Sequence, residues 1–344
     1  MTKLCTSLRL LVGALALGFI IAVSAPSSAQ TRNPDGSINP TASAVKEEQL
    51  LNALRGGDSV SGRVSIPDQK SGTLIQPEGQ AWRAFHQGTL LWVGAIAILG
   101  MLILLVVFYL WRGMVMIQAG RSGRAIVRFN AFERFIHWMT ASCWIVLAIS
   151  GLNITFGKSL LLPIIGPDAF AAWSQWAKYA HNYLSFPFTI GVAVIFLIWI
   201  AGNIPNRADV EWAKQGGGIL DPSKHPPAYR FNAGQKMMYW IVVIGGTAMA
   251  ITGYIMMFPF YVTDMAGMQL SQIVHSIVAV LFVAAMLAHI YIGTLGMEGA
   301  FEAMGNGTVD ENWAKEHHAL WLEEEGARTG PAQSQSQPAA TPAE

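Results

Sequence analysis

The alternation of apolar and polar stretches divides this chain into blocks. After a polar segment that ends near residue 88, residues 89–111 read TLLWVGAIAILGMLILLVVFYLW without a single charge. A helix needs about 20 apolar residues to cross a bilayer core, so this run predicts a span. Four more spans are predicted at about 133–156, 181–203, 237–260 and 271–296. Residues 30–88 are rich in Ser, Gly, Asn, Gln and Pro and have little apolar periodicity. They predict a largely irregular segment, with one short amphipathic helix over 45–54. The first 29 residues carry Lys3 and Arg9, then LLVGALALGFIIAV, then Ser27-Ser28-Ala29. That order predicts an export signal peptide over 1–29. From 323 to 344 the composition of Ala, Pro, Gln, Ser and Glu predicts a disordered tail.

Composition agrees with an integral membrane protein. Hydrophobic residues make up 52% and charged residues only 12%, against about a quarter charged in a soluble domain. A net charge of +1 argues against a nucleic-acid partner. Cys5 and Cys143 are too few for an iron–sulfur cluster, which takes about four ligands. There is no C-x-x-C-H, so any haem here is held without thioether bonds.

Loop charges set the expected orientation. Arg112, Arg121, Arg124, Arg128 and Arg134 follow the first span, and Arg207, Lys214, Lys224, Arg230 and Lys236 follow the third. The loop 157–180 has only Lys158 and Lys178, and the loop 261–270 has no basic residue. The Arg-rich loops are therefore expected in the cytoplasm of a bacterial inner membrane. The mature N-terminus and the 30–88 segment fall in the periplasm and the C-terminus in the cytoplasm.

Polar ionisable groups at membrane depth mark function by default. His275 and His289 lie fourteen positions apart in SQIVHSIVAVLFVAAMLAHIYIGTLG. In a helix that spacing rises about 21 Å and returns to within about 40° of the same face. Under the expected topology His137 and His289 share the cytoplasmic edge, and His181 and His275 share the periplasmic edge. A lone histidine there reads as an interfacial residue bonded to backbone. Four that pair at two depths predict two six-coordinate haems, each with two axial imidazoles. Such iron has no open position, which favours electron transfer over substrate chemistry. Gly151, Gly245, Gly246, Gly253 and Gly293 would let a flat macrocycle approach, or would serve close helix packing. Arg134 and Lys178 are candidate partners of haem propionates, or plain topology anchors. His86, His225, His317 and His318 are not expected to be ligands, and the last two are placed in an amphipathic surface segment.

The segment RFNAGQKMMYW, residues 230–240, carries a resemblance. It resembles the start of a core helix in the gamma (cytochrome b) subunit of respiratory formate dehydrogenases. ERFIHWMTASCWIVLAISGL, KYAHNYLSF, NIPNRADVEWA, the two-His helix and WAKEHHALWL agree in order, so the resemblance covers about residues 125–322. It implies an all-α membrane protein, a four-helix di-haem cytochrome b core, here with one extra N-terminal transmembrane helix over 89–112. It implies two haem b, with His181 and His275 ligating the periplasmic one and His137 and His289 the cytoplasmic one. Asn232 and Gly234 correspond to residues contacting a quinone, menaquinone or ubiquinone, near the cytoplasmic haem. Asn232 equally suits a helix N-cap, and Lys236 suits either polarisation of that site or a cytoplasmic anchor. The implied partners are an iron–sulfur (beta) subunit and a molybdenum- or tungsten-containing catalytic (alpha) subunit. This chain would then be non-catalytic for formate oxidation. A hydrogenase or thiosulfate-reductase type of cytochrome b would share the haems, and a cofactor-free anchor would share only the spans.

Overall fold

In the computed structural model, residues 79–329 are described apart from 220 and 222. The expected signal peptide over 1–29, the segment up to residue 78 and the tail beyond 329 lie outside the described residues. Among the latter, five helices are long and apolar enough to cross a membrane: α1 Ala81–Arg112, α2 Ala131–Leu160, α3 Pro167–Trp199, α5 Ala233–Met257 and α6 Met265–Gly296. A short helix α4, Arg207–Lys214, lies between α3 and α5. Two strands, β1 Ala125–Val127 and β2 Thr308–Asp310, pair antiparallel. Three short helices close the described residues: α7 Ala300–Gly305, α8 Glu311–His317 and α9 Ala319–Thr329.

Helix starts follow local chemistry. Asn130 caps α2 and Asn232 caps α5, each in a reciprocal box with Glu133 or Gln235 three residues on. Asp264 accepts the Gly267 amide at the head of α6. The ends follow too, since α5 stops at Met257, just before Phe258-Pro259.

Several helices are longer than the apolar runs alone predict. α3 begins at Pro167, so His181 sits inside a continuous helix rather than at its start. The polar turns before it carry Trp and Ala, which suit an interfacial helix. α3 also ends at Trp199, ahead of the expected 203, where a 3-10 turn over Ala201–Asn203 precedes Pro205. Helix begins at Gly79 rather than 89, because 79–88 has no proline and gains an Arg83–Gln87 bond and a Trp82–His86 stack. α9 continues to Thr329, past the expected boundary at 322.

The bundle has a simple order. α2 packs along α3, and α6 lies between α5 and α1. Bare glycine surfaces let these helices touch. Gly94 of α1 faces Phe156 of α2 and Val280 of α6, and Gly246 of α5 faces Val192 of α3. The extra helix α1 is built into the fold, because Val115 beyond it exchanges backbone bonds with Gly296 and Glu298 beyond α6.

One end of the bundle carries a cap made of the strands, α4 and α7–α9. Its core includes Phe129, Trp199, Phe231, Val309, Trp313 and Trp321. Glu133 ties this cap to the spans. Its carboxylate accepts the Asn130 amide, the Trp199 indole N–H at 2.8 Å and the Arg230 guanidinium at 2.8 Å. Removing one member of such a buried set leaves the others uncompensated. Glu133→Ala is expected to cost about 2–4 kcal/mol, read as a lowered thermal unfolding midpoint in detergent.

Candidate haem sites

The four predicted histidines come together in two pairs. The His181 and His275 rings lie 6.2 Å apart between centroids, and those of His137 and His289 lie 6.3 Å apart. An imidazole nitrogen holds a transition metal at about 2.0–2.1 Å, which puts two rings on one metal roughly 6 Å apart. Both pairs therefore fit one iron each. Neither pair recruits a third metal-ligating side chain among the described residues. The His137/His289 pair lies next to the cap, where the neighbouring Trp138 donates to the Met304 carbonyl. The His181/His275 pair lies toward the opposite end. Between them is an apolar layer in which Phe282, seven positions from either α6 ligand, packs on Trp144.

Hydroxyl groups orient the His181/His275 pair. Ser150 Oγ lies 2.8 Å from His181 Nδ1 and 2.7 Å from the Val146 carbonyl. Thr252 Oγ1 lies 2.9 Å from His275 Nδ1 and 2.7 Å from the Ala248 carbonyl. Each hydroxyl has one proton, and the carbonyl can only accept it. Each hydroxyl must then accept from its histidine, so Nδ1 carries the ring proton and Nε2 keeps the lone pair a metal needs. The residue after each hydroxyl is glycine, and a Cβ there would stand 3.5 Å (Gly151) or 3.4 Å (Gly253) from the same imidazole. The motif Ser-Gly or Thr-Gly thus does two jobs for one ring. The motif lies within the apolar spans, where a single hydroxyl is usually bonded to its own helix, so its pattern alone does not point to a histidine.

The His137/His289 pair lacks this support. His137 Nδ1 is buried with no hydrogen-bond partner among the described residues. Thr252→Val is expected to weaken haem retention at the His181/His275 site about 10–100-fold, and Ser150→Ala to do the same. Potentiometric titration should show one component displaced and the other unchanged.

The remaining candidate glycines divide. A Cβ on Gly245 or Gly293 would meet no atom within 4 Å, so neither serves close helix packing. Gly246 serves helix packing instead. Arg134 gives one Nη to the Asn306 carbonyl of the cap, and Lys178 is exposed on α3.

Asn232 has the N-cap role that its position predicts. Its Oδ1 accepts the Gln235 amide at 3.0 Å, which leaves Nδ2 without a partner among the described residues. Gly234 faces the Trp212 indole of α4. Lys236 is no exposed anchor. Its side chain is buried and donates to Asp209 at 2.8 Å and to the Ile204 carbonyl, so it clamps α4 onto α5. His318 departs furthest from expectation: it is fully buried in the cap rather than in an amphipathic surface segment. The reason is that the cap folds α8 and α9 back over Arg128 and Tyr229.

A helical membrane bundle that faces histidines across its interior in metal-spaced pairs is a membrane cytochrome b, and haem b is its cofactor. The family model of the prokaryotic cytochrome b561 matches residues 128–307. The chain belongs to that family, among the formate dehydrogenase cytochrome b subunits. It is 31% identical over 202 residues to the formate dehydrogenase cytochrome b556(fdo) subunit of Escherichia coli K12, covering 58% of this chain and 92% of that one. It is 26% identical over 207 residues to the nitrate-inducible cytochrome b556(Fdn) subunit of the same organism, covering 59% and 93%. A Haemophilus influenzae formate dehydrogenase cytochrome b556 subunit matches at 26% over 205 residues, 58% of this chain and 83% of the relative.

Proposed function

We propose that this chain carries electrons across the bacterial inner membrane from an iron–sulfur subunit to quinone. The observation that carries this is the pair of histidine sites, each sized for one iron and joined by a single helix, α6. When bound, two haem b supply reversible one-electron chemistry.

The chain's residues do the rest. His181 and His275 would hold the outer group, and Ser150 and Thr252 fix their rings. His137 and His289 hold the inner group beside the cap. The layer of Phe282, Trp144 and Cys143 excludes water between the two. The Arg- and Lys-rich loops fold into the cap, which supports a cytoplasmic cap and an inward electron path. Asn232, with its free Nδ2, donates to a quinone carbonyl at the head of α5, and Gly234 gives the Trp212 indole room to pack beside it. Protons for the quinone come from the cap side. A molybdenum- or tungsten-containing subunit oxidises formate in the complex, as the relatives' membership of formate dehydrogenases supports.

The test is stoichiometric. Purified complex should contain two haem b per chain, with formate reducing both and quinone reoxidising both. One haem per chain, or haem that formate leaves oxidised, would overturn the reading.

A further inference from the structure

His318 and Arg128 form a buried polar chain that the electron path does not use. His318 is 0% exposed and Arg128 is 4% exposed. His318 Nδ1 lies 2.7 Å from the Tyr229 carbonyl, so Nδ1 carries the proton and Nε2 accepts. Arg128 Nη2 lies 2.6 Å from the Arg230 carbonyl, 3.0 Å from that Nε2 and 3.2 Å from Gln235 Oε1, so its two N–H groups are shared among three acceptors.

All three acceptors are neutral, so no carboxylate offsets the buried cation. Burial first, and Arg230 second, lower the Arg128 pKa to about 9. The guanidinium is held instead by aromatic faces, with Trp313 at 4.9 Å and Phe129 at 5.4 Å. A cation kept in so costly a place needs a role.

The chain ends at Asn232. Gln235 Oε1, which receives Arg128, also accepts the backbone N–H of Asn232 at 3.1 Å. Gln235 N in turn donates to Asn232 Oδ1. That bond decides which end of the Asn232 carboxamide points away from the helix.

We propose that Arg128 and His318 are positioning residues for quinone: His318 holds Arg128, Arg128 holds the Gln235 side chain, and that side chain fixes the Asn232 backbone so that its carboxamide faces the ligand. The C-terminal segment WAKEHHALWL thereby completes a site whose contact residue lies more than eighty positions earlier in the chain. This rests on the reading of Asn232 as a quinone contact.

The test uses the intact complex in membranes, with decylubiquinone and menadione as probes. KM, kcat, haem content and equilibrium binding of each probe to the resting protein are measured for His318→Leu, Arg128→Met, their double variant and Asn232→Ala. The single variants His318→Leu and Arg128→Met should each raise KM and the binding constant about tenfold. Haem content should be unchanged, and kcat should move much less than KM. The double variant should be no worse than Arg128→Met alone, because both act through one path. His318→Gln, which keeps an acceptor for Arg128, should restore most of the binding. If Asn232→Ala leaves KM and binding unchanged, the quinone reading itself fails. If Asn232→Ala weakens binding while His318→Leu and Arg128→Met do not, the positioning role fails and the quinone reading stands. If His318→Leu and His318→Gln both lose haem, His318 only cements the cap and the positioning role is overturned.

Discussion

Replacing His275 by alanine is expected to leave one haem b per chain instead of two and to stop electron flow from formate to quinone. The imidazole faces His181 with the ring centroids 6.2 Å apart, and the two are the proposed ligands of one iron. Loss of an outer-shell partner already costs about 10–100-fold in metal affinity, so loss of a ligand exceeds that. The cavity left behind lies in the bundle interior, and its Thr252 hydroxyl loses its donor as well. The other site lies about 21 Å along α6 and keeps both its ligands. Haem content by pyridine haemochrome should therefore halve rather than vanish. Formate should no longer reduce the remaining haem, while dithionite should still do so. Retention of both haems with full flow would refute the pairing.

Asn232→Ala should produce the second largest effect, a fall of about 10–100-fold in quinone reduction with both haems retained. Two roles meet at this residue, and they are separable. Alanine removes the N-cap of α5, which costs about 1 kcal/mol, along with the free amide donor. Asn232→Asp keeps an acceptor for the Gln235 amide and suits the helix N-terminus, but has no N–H to give. The aspartate variant should be as stable as the unmodified protein and as slow with quinone as the alanine variant. Quinone turnover at the full rate in the aspartate variant would leave Asn232 with its capping role alone.

Much of the fold is readable from local pattern. Each of the five spans is an apolar run long enough to cross a bilayer, and this is a property of composition over a window. The histidine pairs are readable for a related reason. Helical rise converts sequence spacing into depth, and loop charge assigns each depth to a side. Helix ends were harder to place. α3 starts at Pro167 because interfacial turns can be polar and still helical, so apolarity underestimates its length. The cap was least visible. Its strands are three residues each, and their pairing partners lie far apart in sequence.

The sequence by itself determined the solvent, the five spans among the described residues and the four histidines that face one another in pairs, because each depends on short-range periodicity and cost of burial. Tertiary structure alone decided three things. It placed Ser150 and Thr252 on the Nδ1 of His181 and His275, which sets the tautomer of each ring. It turned Lys236 from a candidate anchor into a buried clamp on Asp209. It also buried His318 against Arg128, linking the end of the chain to Asn232. These are contacts between residues distant in sequence, made by hydrogen bonds whose partners are known only once the helices have packed.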